Sequence, residues 1–297
     1  MGSGEDLEMR QAILMTAYRD LLSIRRILER FDGGFSFFIH VDRKTASAEK
    51  AAFRDLCRAY PNVRVVDDAY SVNWGGINHL RAILLLAELA LESDAGYFHL
   101  ITGQDYPARS QDAFRRLDTT KSHIESFALP SPAWASDGGG LDRIRYYRLH
   151  DVFDAKKRPQ AILIRVLYEL QKRLGVKRRL PEGLTFYGGS TYWSLSRECM
   201  QYVIDHTREH PDFLKLFEHT YCPEELYFQT VVMNSLHAGR VVNDNLRYIL
   251  WEKRHGSLPA VLDESDFEPL KASGALFARK LSSPVSSGLM ALLDQEG

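Results

Sequence analysis

An α/β protein with a mostly parallel sheet flanked by helices is the fold class this sequence predicts, and three observations predict it. The first hundred residues alternate short apolar runs with stretches of helical period, in the β-α-β-α-β order of a parallel sheet. The runs are apolar at consecutive positions, as strands buried on both faces are. The chain has 297 residues, 45% hydrophobic and 26% charged, which suits a globule with a sizeable core.

The elements follow in order. Ala12 to Ala17 reads as a buried strand, and Leu21, Leu22, Arg25, Ile27, Leu28 and Phe31 follow a helical period that Gly33-Gly34 stops. Phe35 to Val41 is a second strand ending at Asp42-Arg43-Lys44, Ala46 to Tyr60 a helix, and Val63 to Val66 a third strand. Ligands of such sheets bind beyond the carboxyl ends of the strands, where Thr16, Ala17, Tyr18, Asp42, Arg43 and Lys44 are expected. Ser71-Val-Asn-Trp-Gly-Gly-Ile-Asn is a loop leading to a helix from about His79 to Leu91. Tyr97 to Thr102 is a strand followed by a turn at Gly103, after which Asp105 can fix the loop or meet a ligand hydroxyl. His123 to Phe127 reads as a strand, and Pro130 to Asp142, rich in Pro, Ser and Gly, as a mobile loop near the site. Asp142-Arg-Ile-Arg-Tyr-Tyr-Arg148 mixes charge with aromatic faces, which suits a glycan or a solvated strand edge.

Lys156 to Arg179 sets nine bases against one acid, Glu169, with Ile162, Leu163, Val166, Leu167, Leu170 and Leu174 on one helical face. Such a helix either packs on the body or lies on an anionic membrane. Gly188 to Ser196 reads as a strand, with Ser196 capping a helix to about His206. In Tyr221 to Leu236, Pro223 suits the first helical position and Glu224 and Glu225 its first turn. Leu226, Phe228, Val231, Val232 and Leu236 would pin that helix to the core. An ionised carboxylate at a helix mouth can act as a base, although two acids there also serve simply to offset the dipole. Leu246 to Trp251 reads as a strand, and Ala275 to Leu281 as an apolar run carrying Arg279 and Lys280.

Composition narrows the function. Lys+Arg 38 against Asp+Glu 39 leaves a net charge of −1, which argues against nucleic acid as a partner. The three cysteines, Cys57, Cys199 and Cys222, form no C-x-x-C pair and suggest neither a zinc cluster nor a disulfide framework. No apolar run reaches the roughly 18 residues of a membrane span, so the expectation is a cytoplasmic protein, peripheral to the membrane if the 156–179 helix docks there. No obligate protein partner is evident. Residues 1–10 are expected to be a tail and 11–297 a single domain.

Six segments together resemble one family: Phe38-Ile-His-Val-Asp-Arg-Lys44, Val72-Asn-Trp-Gly-Gly76, His99-Leu-Ile-Thr-Gly-Gln-Asp-Tyr-Pro107, Gly189-Ser-Thr-Tyr-Trp193, Pro223-Glu-Glu-Leu-Tyr-Phe-Gln-Thr230 and Phe277-Ala-Arg-Lys280. In that order they resemble the Core-2/I-branching glycosyltransferases, which include β-1,6-N-acetylglucosaminyltransferases and protein xylosyltransferases. The resemblance implies a glycosyltransferase-A type fold with a Rossmann-like sheet, and inverting transfer from a UDP-sugar to a glycan or glycoconjugate hydroxyl. It makes Glu225 the catalytic base and Lys280 a diphosphate ligand, helped by Arg279. Thr16, Ala17, Tyr18, Asp42, Arg43, Lys44 and Ser71 fall on nucleotide-holding stretches. Trp251 and Lys253 match acceptor contacts, and Trp74, Asp105, Asp142 and Arg143 join them as the expected acceptor or sugar pocket.

The family lacks the Asp-x-Asp metal motif, and no two aspartates here are spaced two apart. No metal cofactor is therefore expected, and fixed cations must offset the charge growing on the departing diphosphate. One cation of the branching enzymes has no counterpart near Leu258-Pro259-Ala260, which leaves Arg254 or His255 as nearest stand-ins. The rival function is a glycan- or nucleotide-binding domain that keeps the fold without catalysis. A dinucleotide-binding enzyme fits less well, since Thr16-Ala-Tyr-Arg19 stands where G-x-G-x-x-G would follow the first strand.

Overall fold

The computed structural model describes residues 9–296. Residues 1–8, most of the expected tail, lie outside them. Arg10 belongs to the fold, its carbonyl accepting from the Gly96 amide at 2.8 Å and its guanidinium pairing with Asp94 at 3.0 Å.

The first half runs β1 (Gln11–Ala17), α1 (Leu21–Glu29), β2 (Phe35–Val41), α2 (Ser47–Arg58), β3 (Val63–Val66), α3 (Ile77–Leu91) and β4 (Tyr97–Thr102). Then come β5 (Asp105–Pro107), α4 (Gln111–Arg115), β6 (Ser122–Ile124), β7 (Phe127–Ala128), α5 (Leu141–Arg145) and α6 (Arg158–Leu174). The remainder is β8 (Tyr187–Gly188), β9 (Trp193–Ser196), α7 (Arg197–Glu209), α8 (Pro211–Leu216), α9 (Tyr227–Met233), β10 (Val241–Val242), β11 (Arg247–Ile249), α10 (Phe267–Ser273), β12 (Phe277–Arg279) and α11 (Ser287–Gln295).

A seven-stranded sheet in the order β10-β6-β9-β4-β1-β2-β3 forms the centre. β4, β1, β2 and β3 run parallel, and β9 lies antiparallel between β4 and β6. Side chains alternate across β1: Ala12 and Leu14 join an apolar layer with α3, α7 and α9, while Ile13 and Met15 join a second layer with α1 and α11. Both faces are thus covered, which is why the runs are apolar at consecutive positions and not at alternate ones. The α/β architecture is the Rossmann-like, mostly parallel sheet flanked by helices expected from the sequence. A smaller sheet, β11-β12-β5, sets β12 antiparallel to β5 with Arg279 opposite Asp105.

Several expectations need correction. The strand expected over His123 to Phe127 is two short ones in different sheets, and that over Gly188 to Ser196 divides into β8 and β9. Pro130 to Asp142 is not an irregular loop: it holds a 3-10 turn at Pro132–Asp137 and leads into α5, so Asp142 to Arg145 are helical and not a strand edge. Pro223 does not open the α-helix. Pro223–Glu225 form a separate 3-10 turn, Leu226 breaks away at φ −125°, and α9 starts at Tyr227. Leu236 lies beyond that helix and is fully exposed, not a core anchor.

Candidate active site

A cavity of about 610 Å3 opens at the carboxyl ends of β1, β2 and β4. Three strand ends meet there because the parallel order β4-β1-β2 places them side by side. Thr16, Ala17, Tyr18, Asp42, Lys44, Trp74, Arg279 and Lys280, all expected from the sequence, line it. Asp42 shapes its own loop, its Oδ1 accepting from the Lys44 amide at 2.9 Å and the Val72 amide at 3.2 Å. Lys44 Nζ crosses to the Val72 carbonyl at 2.6 Å and Asn73 Oδ1 at 2.9 Å, tying the β2 and 71–76 loops together. Gly75, at φ +82°, turns that loop where a Cβ would meet Tyr221 and His150 at 3.0 Å, so a side chain there would push the two loops apart.

One end of the cavity is cationic. Half-buried Arg279 donates from Nη1 to Asp105 Oδ2 at 3.1 Å, and Lys280 Nζ donates to the neutral Ser257 hydroxyl at 3.1 Å. Arg19 and Lys156, which the sequence reading did not select, complete the group; both line the cavity and both stack on Tyr18, at 4.9 and 5.2 Å from its ring centre. Burial, and then Arg279, Arg19 and Lys156, push the Lys280 amine below its ordinary value. Cations crowded in this way favour an anion between them. Arg19 was findable, since it follows directly on the strand end already selected. Lys156 was masked by the basic run it begins.

Besides Asp42 and Glu49, the lining carries the carboxylate of Glu224. Its Oε1 lies 3.0 Å from His79 Nδ1, while His79 Nε2 lies 3.1 Å from Thr16 Oγ1. Glu224 Oε2 is buried with no hydrogen-bond partner. This Thr16–His79–Glu224 chain joins residues up to 208 positions apart in β1, α3 and the 223–225 turn, and no local sequence signal marks it.

Glu225 is not among the residues lining that cavity. Its carboxylate is held by Arg143 instead, whose Nη1 donates to its Oε2 at 2.6 Å. Arg143 is itself stacked on Trp134, 3.5 Å from the ring centre, and lies 5.3 Å from that of Tyr221. Tyr221 packs edge-on against Trp74 at 5.4 Å, so the Glu225 side of the turn continues from the cavity rim. Burial pushes the Glu225 carboxyl up to about 7; Arg143 opposes this and Glu224 adds to it.

The other expected residues lie elsewhere. Asp105 is fully buried, its Oδ2 accepting from the Thr102 amide and hydroxyl and from Arg279, so it fixes the loop and the arginine and does not meet a ligand. Asp142 accepts from the Tyr168 hydroxyl at 3.2 Å and anchors α6, so it does not line a sugar pocket. Arg254 is spent on Asp266 and His255 on Asp263 at 2.8 Å, which removes both as diphosphate stand-ins. The Arg43 side chain turns out to Asp68 at 3.5 Å. Ser71 offers its carbonyl to Asn78 at 3.0 Å and lies off the cavity lining. Trp251 is 73% exposed, and with exposed Lys253 it lies on the loop that brings Leu258 and Pro259 to the cavity. Among the described residues no group of three His, Cys, Asp or Glu side chains is placed to hold a metal ion. A second cavity, about 820 Å3, lies against α7 and α8 and touches none of the expected site residues.

Comparison with known proteins gives the family. Xylosyltransferase 1 of Rattus norvegicus is 28% identical over 287 residues, covering 87% of this chain and 31% of its own. Xylosyltransferase 2 of Homo sapiens is 26% identical over 310 residues, covering 95% of this chain and 33% of its own. The chain therefore spans about a third of the length of these relatives. The glycosyltransferase GlyE of Streptococcus pneumoniae TIGR4 aligns over 97% of this chain and 60% of its own at 9% identity, with a TM-score of 0.34, a likeness too distant to say anything of the site. The Core-2/I-Branching enzyme profile matches residues 12–271, most of the chain, and the chain belongs to that family.

Proposed function

We propose that this protein transfers a sugar from a UDP-sugar to a hydroxyl of a glycan or glycoconjugate, by single displacement with inversion and without a metal. The observation that carries the reading is the make-up of the cavity: Lys280 crowded by Arg279, Arg19 and Lys156, and in the same lining the carboxylate of Glu224, next in sequence to Glu225. In this reading Glu225 takes the acceptor hydroxyl proton and the oxygen forms its bond to the anomeric carbon. The bond from that carbon to the β-phosphate oxygen breaks, and its electron pair leaves with UDP. Lys280, Arg279, Arg19 and Lys156 offset the charge that grows on the diphosphate. A carboxyl with its pKa near 7 suits a base working near neutral pH.

A second reading makes Glu224 the base, favoured by its place on the cavity wall and its free oxygen. The two separate cleanly by substitution. If Glu225 is the base, Glu225→Gln loses about 10²–10⁴-fold in turnover with UDP affinity kept, while Glu224→Gln retains more of it. The reverse ranking moves the role to Glu224. Binding of UDP without turnover of any donor by the unaltered protein would favour the non-catalytic alternative. Xylose and N-acetylglucosamine are the first donors to test, given the xylosyltransferase relatives and the wider family.

A further inference from the structure

The outer face of α6 combines exposed aliphatic side chains with a run of bases. Ile164 and Tyr168 are its buried residues, and they fix the helix to the body together with Gln171, which donates to the Tyr147 carbonyl at 2.9 Å, and Asp142, which holds Tyr168. On the opposite side Ile162, Val166, Leu170 and Leu174 follow one another at every fourth position, with Leu163 beside them, so they form one row along the axis. They are 57%, 55%, 48%, 67% and 39% exposed. The sequence reading left open whether this apolar face packs on the domain; the structure leaves most of it in solvent.

Charge surrounds the row. Of the nine bases in 156–179, Arg178 is turned inward to the carbonyls of Ile144 and Leu216, and Lys172 lies 3.7 Å from Asp142. Lys156, Lys157, Arg158, Arg165, Arg173, Lys177 and Arg179 are all exposed. They gather on one segment of a chain whose net charge is −1. An exposed apolar row flanked by bases complements a surface that is anionic outside and apolar just beneath, which is the make-up of an anionic bilayer. An acidic protein would match the charge but gains less from five solvent-facing aliphatic side chains in line.

We propose that α6 docks this protein on anionic phospholipid bilayers, its aliphatic row entering the head-group boundary and its bases meeting lipid phosphates. The claim stands on the helix alone and does not rest on the glycosyl-transfer reading. Lys156 lies two residues before α6 and lines the cavity, so the docked face is next to the cavity mouth.

The test is co-sedimentation with vesicles of phosphatidylcholine alone or containing about one third phosphatidylglycerol. The unaltered protein is expected to sediment with the anionic vesicles at low salt, to leave the zwitterionic ones free, and to be released by about 1 M salt, where the Debye length is near 3 Å. Each surface base contributes about fivefold to such partitioning, so Arg165→Glu with Arg173→Glu should weaken it by about tenfold or more. Val166→Glu with Leu170→Glu, both exposed positions, should do the same. Both double variants should keep the parent's thermal midpoint and its UDP affinity. No sedimentation with anionic vesicles at low salt overturns the proposal, as does unchanged binding by both variants. A dimer in sedimentation equilibrium that Val166→Glu with Leu170→Glu converts to monomer would assign the row to a second copy and also overturn it.

Discussion

Replacing Arg143 by methionine asks whether the raised Glu225 carboxyl is the working base, because the arginine is what keeps that carboxyl from rising further. Methionine keeps a flexible apolar stem against Trp134 and Tyr221 but removes the Nη1 donor 2.6 Å from Glu225 Oε2. A neighbouring arginine lowers a carboxyl pKa by about 1–3 units. With Glu225 at about 7 in the intact protein, half is ionised at pH 7. After the substitution roughly 10% to 0.1% remains ionised, so kcat/KM at pH 7 should fall by roughly 5- to 500-fold and recover as pH rises. The assay is the pH profile of transfer, or of UDP release from the donor, for the parent, Arg143→Met and Arg143→Lys. The parent's acidic limb should lie near pH 7, that of Arg143→Met should move upward, and Arg143→Lys should stay closer to the parent. A limb that does not move, with activity reduced equally at every pH, would mean that Arg143 only props up the turn. Stability carries its own sign. A carboxyl whose folded pKa is raised binds its proton more tightly when folded, so its contribution declines as pH climbs from the ordinary 4.5 to about 7. Arg143→Met should extend that decline to higher pH.

Other outcomes follow from the same geometry. Lys280→Ala should weaken UDP binding in calorimetry by about tenfold or more, and Arg19→Ala should weaken it too, whereas Arg254→Ala, whose charge is met by Asp266, should not. Unchanged affinity for Lys280→Ala and Arg19→Ala would remove the cationic clamp. Asp105→Ala leaves the half-buried Arg279 without its carboxylate and should cost about 1–3 kcal/mol in a denaturant titration, with UDP affinity falling alongside; no measurable loss would show that the pair is not needed. Treatment with EDTA should leave the rate intact, and loss restored by manganese would contradict the metal-free mechanism.

The first half of the fold was legible because its strands are runs of adjacent apolar residues, buried on both faces in β1, β2 and β4 and partly buried in the edge strand β3. β2, β3 and β4 begin and end where the apolar runs do, and α3 starts only two residues early. The part of the cavity lined by Thr16, Ala17, Tyr18, Asp42 and Lys44 was legible for the same reason, since these residues lie at or just after strand ends. What failed depended on distant contacts. The turn at Pro223–Glu225 has the proline and the first-turn acids of a helix start, yet the chain leaves helical geometry at Leu226, with Cys222 already at φ 48°. The acids of Glu224 and Glu225 consequently point to different partners, His79 and Arg143, and adjacency in sequence could not separate them. Asp105 and Asp142 read as ligand contacts because buried and exposed aspartates look alike in a sequence. Arg254 and His255 look like free cations in the sequence because their acids, Asp266 and Asp263, stand twelve and eight residues on.

The central claim is that a side-chain base and side-chain cations suffice to move a sugar from UDP. It is tested most directly by following UDP release from UDP-xylose and UDP-N-acetylglucosamine in EDTA, for the parent protein beside Glu225→Gln. The account predicts UDP from at least one donor with the parent, and a rate about 10²–10⁴-fold lower with the variant. Equal rates from the two proteins, or no UDP from any donor, would contradict it.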